Sequence, residues 1–228
     1  MKADYLNGTD YTIIQPAGMY HINSDTELLG RFMHVRKNDR ILDSGCAGGA
    51  LLLYAAHQGA GNLYGIDLFD DVLRICEDNL HRNQVAAVLE RSRLQDYKAE
   101  RFDVIVCNPP YFRTMDERLK NSSEIIRAAR HEEYLRPAEL FSSVKRLLKD
   151  NGRFYLVHRA SRLNELLQEA QKNNLQAVRM RIAYASVNGD ARSVLIEFRP
   201  GSGRELKIQR PVFLDQRETF VDEREEKK

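Results

Sequence analysis

From residue 40 to about residue 199, short apolar, β-branched runs alternate with stretches of helical periodicity. Residues 40–43, Arg-Ile-Leu-Asp, read as a first strand, and residues 50–58 as the helix after it. Asn62–Asp67 is the second strand. Asp70–Arg82 follows as a helix that sets Val72, Leu73, Cys76 and Leu80 on one face. Residues 85–89 form a third strand and Phe102–Cys107 a fourth. Residues 137–149 make a helix with proline near its start, ended by Asp150-Asn151-Gly152. Residues 153–158 are the fifth strand and residues 161–173 another helix. Two further runs, 178–184 and 194–198, flank a Gly-containing loop and form an antiparallel closing pair. The alternation predicts an α/β fold, a Rossmann-like doubly wound sheet of about seven strands with an antiparallel C-terminal edge pair.

Three segments follow from this pattern. Residues 1–39 are an N-terminal segment with a capping helix, in which Ser24 and Glu27 make a capping-box pattern for a helix ending near Val35. Residues 40–212 are the domain proper. Residues 213–228 are a charged tail expected to be flexible.

Composition places the chain among ordinary globular enzymes. It has 228 residues, 43% of them hydrophobic and 30% charged, enough to bury a sizeable core in one domain. No apolar run approaches the roughly 18 residues needed to span a bilayer. The opening Met1-Lys2-Ala3-Asp4-Tyr5 carries no hydrophobic signal region, so a cytoplasmic location is expected. Cys46, Cys76 and Cys107 are widely separated and form no zinc-type pair; they are expected as small buried hydrophobes, with no metal. Charge is unevenly spread although the net is only +2. Residues 136–210 carry 15 Lys/Arg against 7 Asp/Glu, whereas residues 1–135 carry 16 against 20. A basic C-terminal half of this kind suits a nucleic-acid partner, although a solvated surface has the same composition.

The most informative stretch is Asn108-Pro109-Pro110-Tyr111, directly after the buried fourth strand. Two prolines cannot continue a ladder, so the strand stops at Asn108. A rigid loop then stands at the carboxyl end of a buried strand, where open α/β sheets place their ligands. Asn108 offers a carbonyl acceptor, and Tyr111 and Phe112 offer aromatic faces. Such a loop can hold a planar amine by its hydrogens and stack it on a ring, as methylation of an exocyclic amino nitrogen requires. The first strand leads into Asp43-Ser44-Gly45-Cys46-Ala47-Gly48-Gly49, a glycine-rich turn that lets backbone amides approach a ligand. Asp67, at the end of the second strand, can accept both hydroxyls of a ribose. The full G-x-G-x-x-G pattern of dinucleotide enzymes is absent.

In their order and spacing these motifs resemble class I S-adenosylmethionine-dependent methyltransferases with an Asn-Pro-Pro-Tyr motif. That resemblance implies S-adenosylmethionine as cofactor, held by Asp43, Gly45, Cys46, Ala47, Gly49, Asp67, Leu68 and Asn108. It implies Asn108, Pro109, Pro110 and Tyr111 as the catalytic loop. Two positions depart from the family pattern: Ala47 replaces a usual glycine, and Arg93 stands where an acidic residue commonly holds the cofactor's adenine, leaving Asp96 or a backbone group to substitute.

Substrate class depends on the surroundings. Only 39 residues precede Arg40, too few for the helical domain that glutamine methylases usually carry there, and no segment is long enough for a DNA target-recognition insert. The segments Asp25-Thr26-Glu27-Leu28-Leu29, Ala128-Ala129-Arg130-His131-Glu132 and Leu156-Val157-His158-Arg159, taken with the catalytic loop, are similar to the bacterial tRNA adenine-37 N6-methyltransferases over residues 12–212. The resemblance implies methyl transfer to adenine N6 in tRNA, with no DNA, membrane or metal partner. Tyr111, Phe112, Arg113, Arg130, His131, His158 and Arg159 are the candidate substrate contacts. Protein glutamine methylation, and RNA binding with weak or no catalysis, are the alternatives. Oligomeric state is left open by the sequence.

Overall fold

The computed structural model describes residues 3–16, 22–109 and 135–216. The catalytic-loop residues Pro110, Tyr111, Phe112 and Arg113, and also Arg130 and His131, lie outside the described residues, as does most of the charged tail.

The strand-forming runs build one mostly parallel sheet. In chain order the main elements are β1 (Ala3–Tyr5), β2 (Thr12–Ile14), α1 (Ser24–Phe32), β3 (Arg40–Ser44), α2 (Ala50–His57), β4 (Asn62–Asp67), α3 (Asp70–Arg82), β5 (Val88–Arg91) and β6 (Phe102–Cys107). They continue with α4 (Pro137–Leu147), β7 (Leu148–Arg159), a 3-10 turn (Ala160–Arg162), α5 (Leu163–Lys172), β8 (Leu175–Tyr184), β9 (Ala191–Pro200), β10 (Lys207–Ile208) and β11 (Val212–Phe213). Across the sheet the order is β5-β4-β3-β6-β7-β9-β8, with β9 antiparallel to both neighbours. The doubly wound sheet and its antiparallel edge pair are therefore as expected. The short strands β10 and β11 add to the outer side of β8, and β1 pairs with β2 in a separate hairpin. Phe213, assigned above to the tail, pairs with Tyr184.

Side chains alternate between two cores, as period-2 strands buried on both faces require. On one face Ile41, Val104, Val106, Tyr155 and Leu195 pack against α1, α2 and the inner side of α3. On the other, Leu42, Ile105, Phe154 and Phe198 meet α4 and α5. There Phe141 stands edge-on to Phe154 and Phe198, with centroids 5.8 Å and 5.1 Å away.

Several element boundaries differ from expectation: β7, β8 and β9 start earlier than 153, 178 and 194, and α5 spans Leu163–Lys172 rather than 161–173. The third strand begins at Val88, three residues late, because a tight turn with Gln84 at φ 58° precedes it and Val85 donates to Leu80 O. The helix α4 stops at Leu147; Leu148 then pairs with Phe102, and the next pair in the ladder is Val104 with Arg153. The cap of α1 is Asn23, not Ser24: its side-chain Oδ1 accepts from Thr26 N at 3.0 Å, and the helix ends at Phe32.

Helices α1 and α2 cross closely at Gly30. A Cβ there would lie 2.2 Å from the Tyr54 ring, and that ring is pinned by its hydroxyl, which donates to Asn7 O at 2.8 Å. We therefore expect Gly30→Ala to lower stability by about 1–3 kcal/mol despite alanine's better helix propensity. Thermal denaturation should show a Tm lower by roughly 3–10 °C; an unchanged Tm would mean that the ring can yield.

Candidate active site

The register of the central strands puts three chemically loaded loops side by side. Ser44 at the end of β3 is paired with Ile66 of β4 on one side and Cys107 of β6 on the other. The next residues, Gly45, Asp67 and Asn108, thus leave the sheet at one level on three adjacent strands. Chain order reverses direction at β3, which makes this the topological switch point where ligands of open α/β sheets bind.

The glycine-rich turn is held by its own backbone. Gly45 N and Cys46 N both donate to Ile66 O, and Gly49 N donates to Cys46 O. Gly45 and Gly49 lie at φ 78° and 85°, and Ala47 at φ 45°. The alanine that replaces a family glycine thus takes up the left-handed conformation itself, at roughly 1–2 kcal/mol. Its N–H is held by the Asp67 carboxylate at 3.2 Å. Asp67 also accepts from Leu68 N at 2.7 Å and Phe69 N at 3.3 Å, tying the ends of β3 and β4 together. Asn79 of α3 braces the turn from behind. Its amide donates to Gly48 O and Ile14 O and accepts from Ile14 N, joining the turn to the N-terminal hairpin.

Asp43 is unlike its neighbour. It is 1% exposed, and neither carboxyl oxygen has a hydrogen-bond partner among the described residues. Burial, reinforced by the Asp67 charge, pushes its pKa up to about 8. Next to it, a Cβ on Gly45 would meet nothing within 4 Å, so space opens beside an unsatisfied buried acid. These residues fit a group that carries a positive charge and a ribose. Cys46 contributes backbone only: its thiol is buried against Cys76 and Gly65, and the hydrogen bond with Cys76, with burial, raises its pKa. On the far side, Asp96 is exposed, and the Arg93 carbonyl accepts from Asp96 N and Tyr97 N within its own turn.

Asn108 is half-buried, and Pro109 is buried. The Asn108 Nδ2 donates to Thr26 Oγ1 at 2.8 Å, and that hydroxyl faces Asn23 Oδ1 at 3.3 Å. The bond fixes which end of the Asn108 amide is donor and which is acceptor. Thr26 is 6% exposed on the first turn of α1, and sequence reasoning missed it. The signal was the polar run Asn23-Ser24-Asp25-Thr26, longer than a cap needs. Asp25, beside Thr26, accepts from Ser193 Oγ of β9 at 2.7 Å.

The two candidate RNA contacts at the end of β7 separate. Arg159 is exposed at the carboxyl edge of the sheet. His158 is 6% exposed, its Nδ1 accepts from Arg159 N, and burial together with Arg162 lowers its pKa to about 4. A buried neutral imidazole does not suit a phosphate contact; its place is in the packing beneath Arg162. Among the described residues no cluster could hold a metal ion, and no helix is long and apolar enough to cross a membrane.

Comparison with known proteins adds three findings. A family described as a methyltransferase domain matches residues 35–210. The tRNA1(Val) (adenine(37)-N6)-methyltransferase of Shewanella halifaxensis is 30% identical over 198 residues, 83% of this chain and 76% of that protein. A protein of the same description from a Flavobacteriaceae bacterium is 24% identical and covers 91% of this chain and 88% of its own. Among solved structures, a SAM-dependent O-methyltransferase from Thermotoga maritima shares the fold with a TM-score of 0.57 at 15% identity, covering 82% of this chain and 69% of its own.

Two outcomes follow from this geometry. Below pH 8 the Asp43 carboxyl is protonated in the free protein and must lose its proton to meet a cation. Cofactor affinity should therefore rise with pH, by up to about tenfold per unit, and level off above pH 8. Calorimetry at pH 6.5 in buffers of different ionisation enthalpy should report about one proton released; Asp43→Asn should abolish the release, and no release from the wild type would sink the assignment. Thr26→Val should lower kcat roughly tenfold with cofactor affinity unchanged, and Thr26→Ser should restore it. Equal kcat for all three would remove Thr26 from the site.

Proposed function

As the chain belongs to the methyltransferase domain family, we propose that it transfers a methyl group to the exocyclic N6 amine of an adenine in tRNA. Its cofactor is S-adenosylmethionine, which supplies one electrophilic methyl group when bound. Asp43, Gly45 and the backbone of Cys46, Ala47 and Gly49 receive the methionine end, where the positive charges lie. Asp67 and Leu68 receive the ribose.

The observation that carries the reading is Asn108 at the end of β6, its amide oriented by Thr26, on a loop stiffened by proline and beside the Asp43 pocket. An aryl amine is a weak nucleophile because its lone pair is delocalised into the ring. Asn108 Oδ1 and the Pro109 carbonyl accept the two amine hydrogens, which draws the nitrogen towards tetrahedral geometry and aims its lone pair at the methyl group. Tyr111 and Phe112 stack on the base. The nitrogen would take the methyl group as its bond to the cofactor's sulfur breaks, the electron pair staying on sulfur, and would shed one proton to water. Positioning and electrostatics carry the rate, so no strong base is needed. An adenine reaches this pocket only when unstacked, which favours a loop of the RNA. Arg113, Arg130, His131 and Arg159 are assigned to the RNA around the base. Chemistry on tRNA supports a cytoplasmic location.

Incubation with labelled S-adenosylmethionine and unmodified total tRNA, followed by nucleoside analysis, tests the proposal. N6-methyladenosine should appear in a tRNA fraction, and Asn108→Ala should reduce its formation by roughly 100- to 1,000-fold while cofactor affinity is nearly intact. Label in protein glutamine, or none despite cofactor binding, would overturn it.

A further inference from the structure

The basic excess of residues 136–210 has a definite place in the fold. On the sheet face that α1 covers, β8 and β9 extend beyond the helix, and their outward positions carry charge where the inner strands carry Val and Ile. Between these strands, the end of α1 and the chain leading to β10 lies a groove of about 510 Å³. Glu197, 3% exposed, forms its floor. Arg179 Nε meets one Glu197 oxygen at 2.9 Å, and Arg199 Nε meets the other at 2.7 Å. The buried carboxylate thus holds two guanidinium planes in fixed orientations. Arg179 is fixed further, by donation to Phe32 O at 2.8 Å and by stacking at 4.1 Å over the Phe32 ring. Arg199 uses only its Nε in this way and keeps its two terminal nitrogens without a hydrogen bond among the described residues. Arg204 and Lys207 stand exposed on the rim with Glu205, so four cations face two carboxylates.

We propose that this groove grips the sugar-phosphate backbone of the RNA substrate while its adenine occupies the Asn108 site. The inference rests on the RNA methyltransferase reading above. Guanidinium edges held in place by a buried acid match phosphate oxygens, which accept paired hydrogen bonds. Position supports the same occupant. Helix α1 touches Asn108 through Thr26 and the groove through Phe32. Those residues are six positions apart, or about 9 Å along the helix. That span equals roughly three stacked nucleotide steps, so one strand can serve both ends of α1.

The double variant Arg199→Gln/Arg204→Glu tests the groove, with Arg204→Glu alone as a check that affects only an exposed side chain. Fluorescence anisotropy with unmodified tRNA, over a series of salt concentrations, reads binding independently of catalysis. Affinity should fall at least roughly tenfold in the double variant, and the slope of log affinity against log salt should flatten by about 2, one for each lost contact. Calorimetric affinity for S-adenosylmethionine and the thermal midpoint should match the wild type. An unchanged tRNA affinity and salt slope in a folded double variant would overturn the proposal. A wild type that binds tRNA through this groove but forms no N6-methyladenosine would overturn the activity while leaving the groove in place.

Discussion

Two carboxyls, Asp43 and Asp67, stand near the ends of neighbouring strands inside a sheet, and the architecture of the site follows from how their charges are tolerated. Two ionised acids cannot share so dry a place unaided. Asp67 is satisfied by three backbone amides drawn from its own turn and from the glycine-rich loop. Asp43 has no such donors among the described residues, and burial with the Asp67 charge pushes its pKa up to about 8. The left-handed residue at position 47 belongs to the same turn, and its amide is one of the three that Asp67 accepts. Gly65 makes room for that turn. A Cβ there would lie 3.1 Å from Cys46, so the absence of a side chain lets the loop fold back onto β4.

The acceptor half of the site is organised differently. Prolines stiffen the main chain beyond Asn108, but they cannot choose between the two ends of its side-chain amide. That choice comes from Thr26, in a helix whose other bonds reach Ser193 and Arg179. Helix α1 is therefore a brace between the reacting strand and the outer strands. One end meets Asn108 and the other meets a charged groove. Its nine residues set the scale of both.

The fold was largely legible in the chain because the inner strands β3, β4, β6 and β7 are apolar, bounded by turns and buried on both faces. Legibility failed where burial is one-sided. In the edge strand β5 the run Val85-Ala86-Ala87-Val88-Leu89 carries no phase to fix its start, and Glu90 and Arg91 are tolerated because solvent is close. The cap of α1 was misplaced by one residue because Asn23 and Ser24 both suit the role and only geometry selects between them. At the site, the strand and turn ends that carry Asp43, Gly45, Asp67 and Asn108 could be located because each follows a recognisable apolar run, and the sheet brings them together. Thr26 was missed, because the polar run at 23–26 does not name its partner, which lies 82 residues away. His158 misled for the opposite reason. Its neighbour Arg159 is exposed, but β7 is buried on both faces through His158, so the strand reaches solvent only one residue later.

The brace also has a consequence for synthesis. Asn108 is oriented by a helix near the start of the chain, and that helix is seated by Ser193, which is 168 residues beyond Asp25. A ribosome-bound chain can complete β3, β4 and β6 and still lack the strand that seats α1. The reacting amide acquires its orientation only after β9 has emerged and docked, long after the glycine-rich turn can close. The order of synthesis therefore sets the order of assembly, with the cofactor loop able to form well before the Asn108 amide is braced.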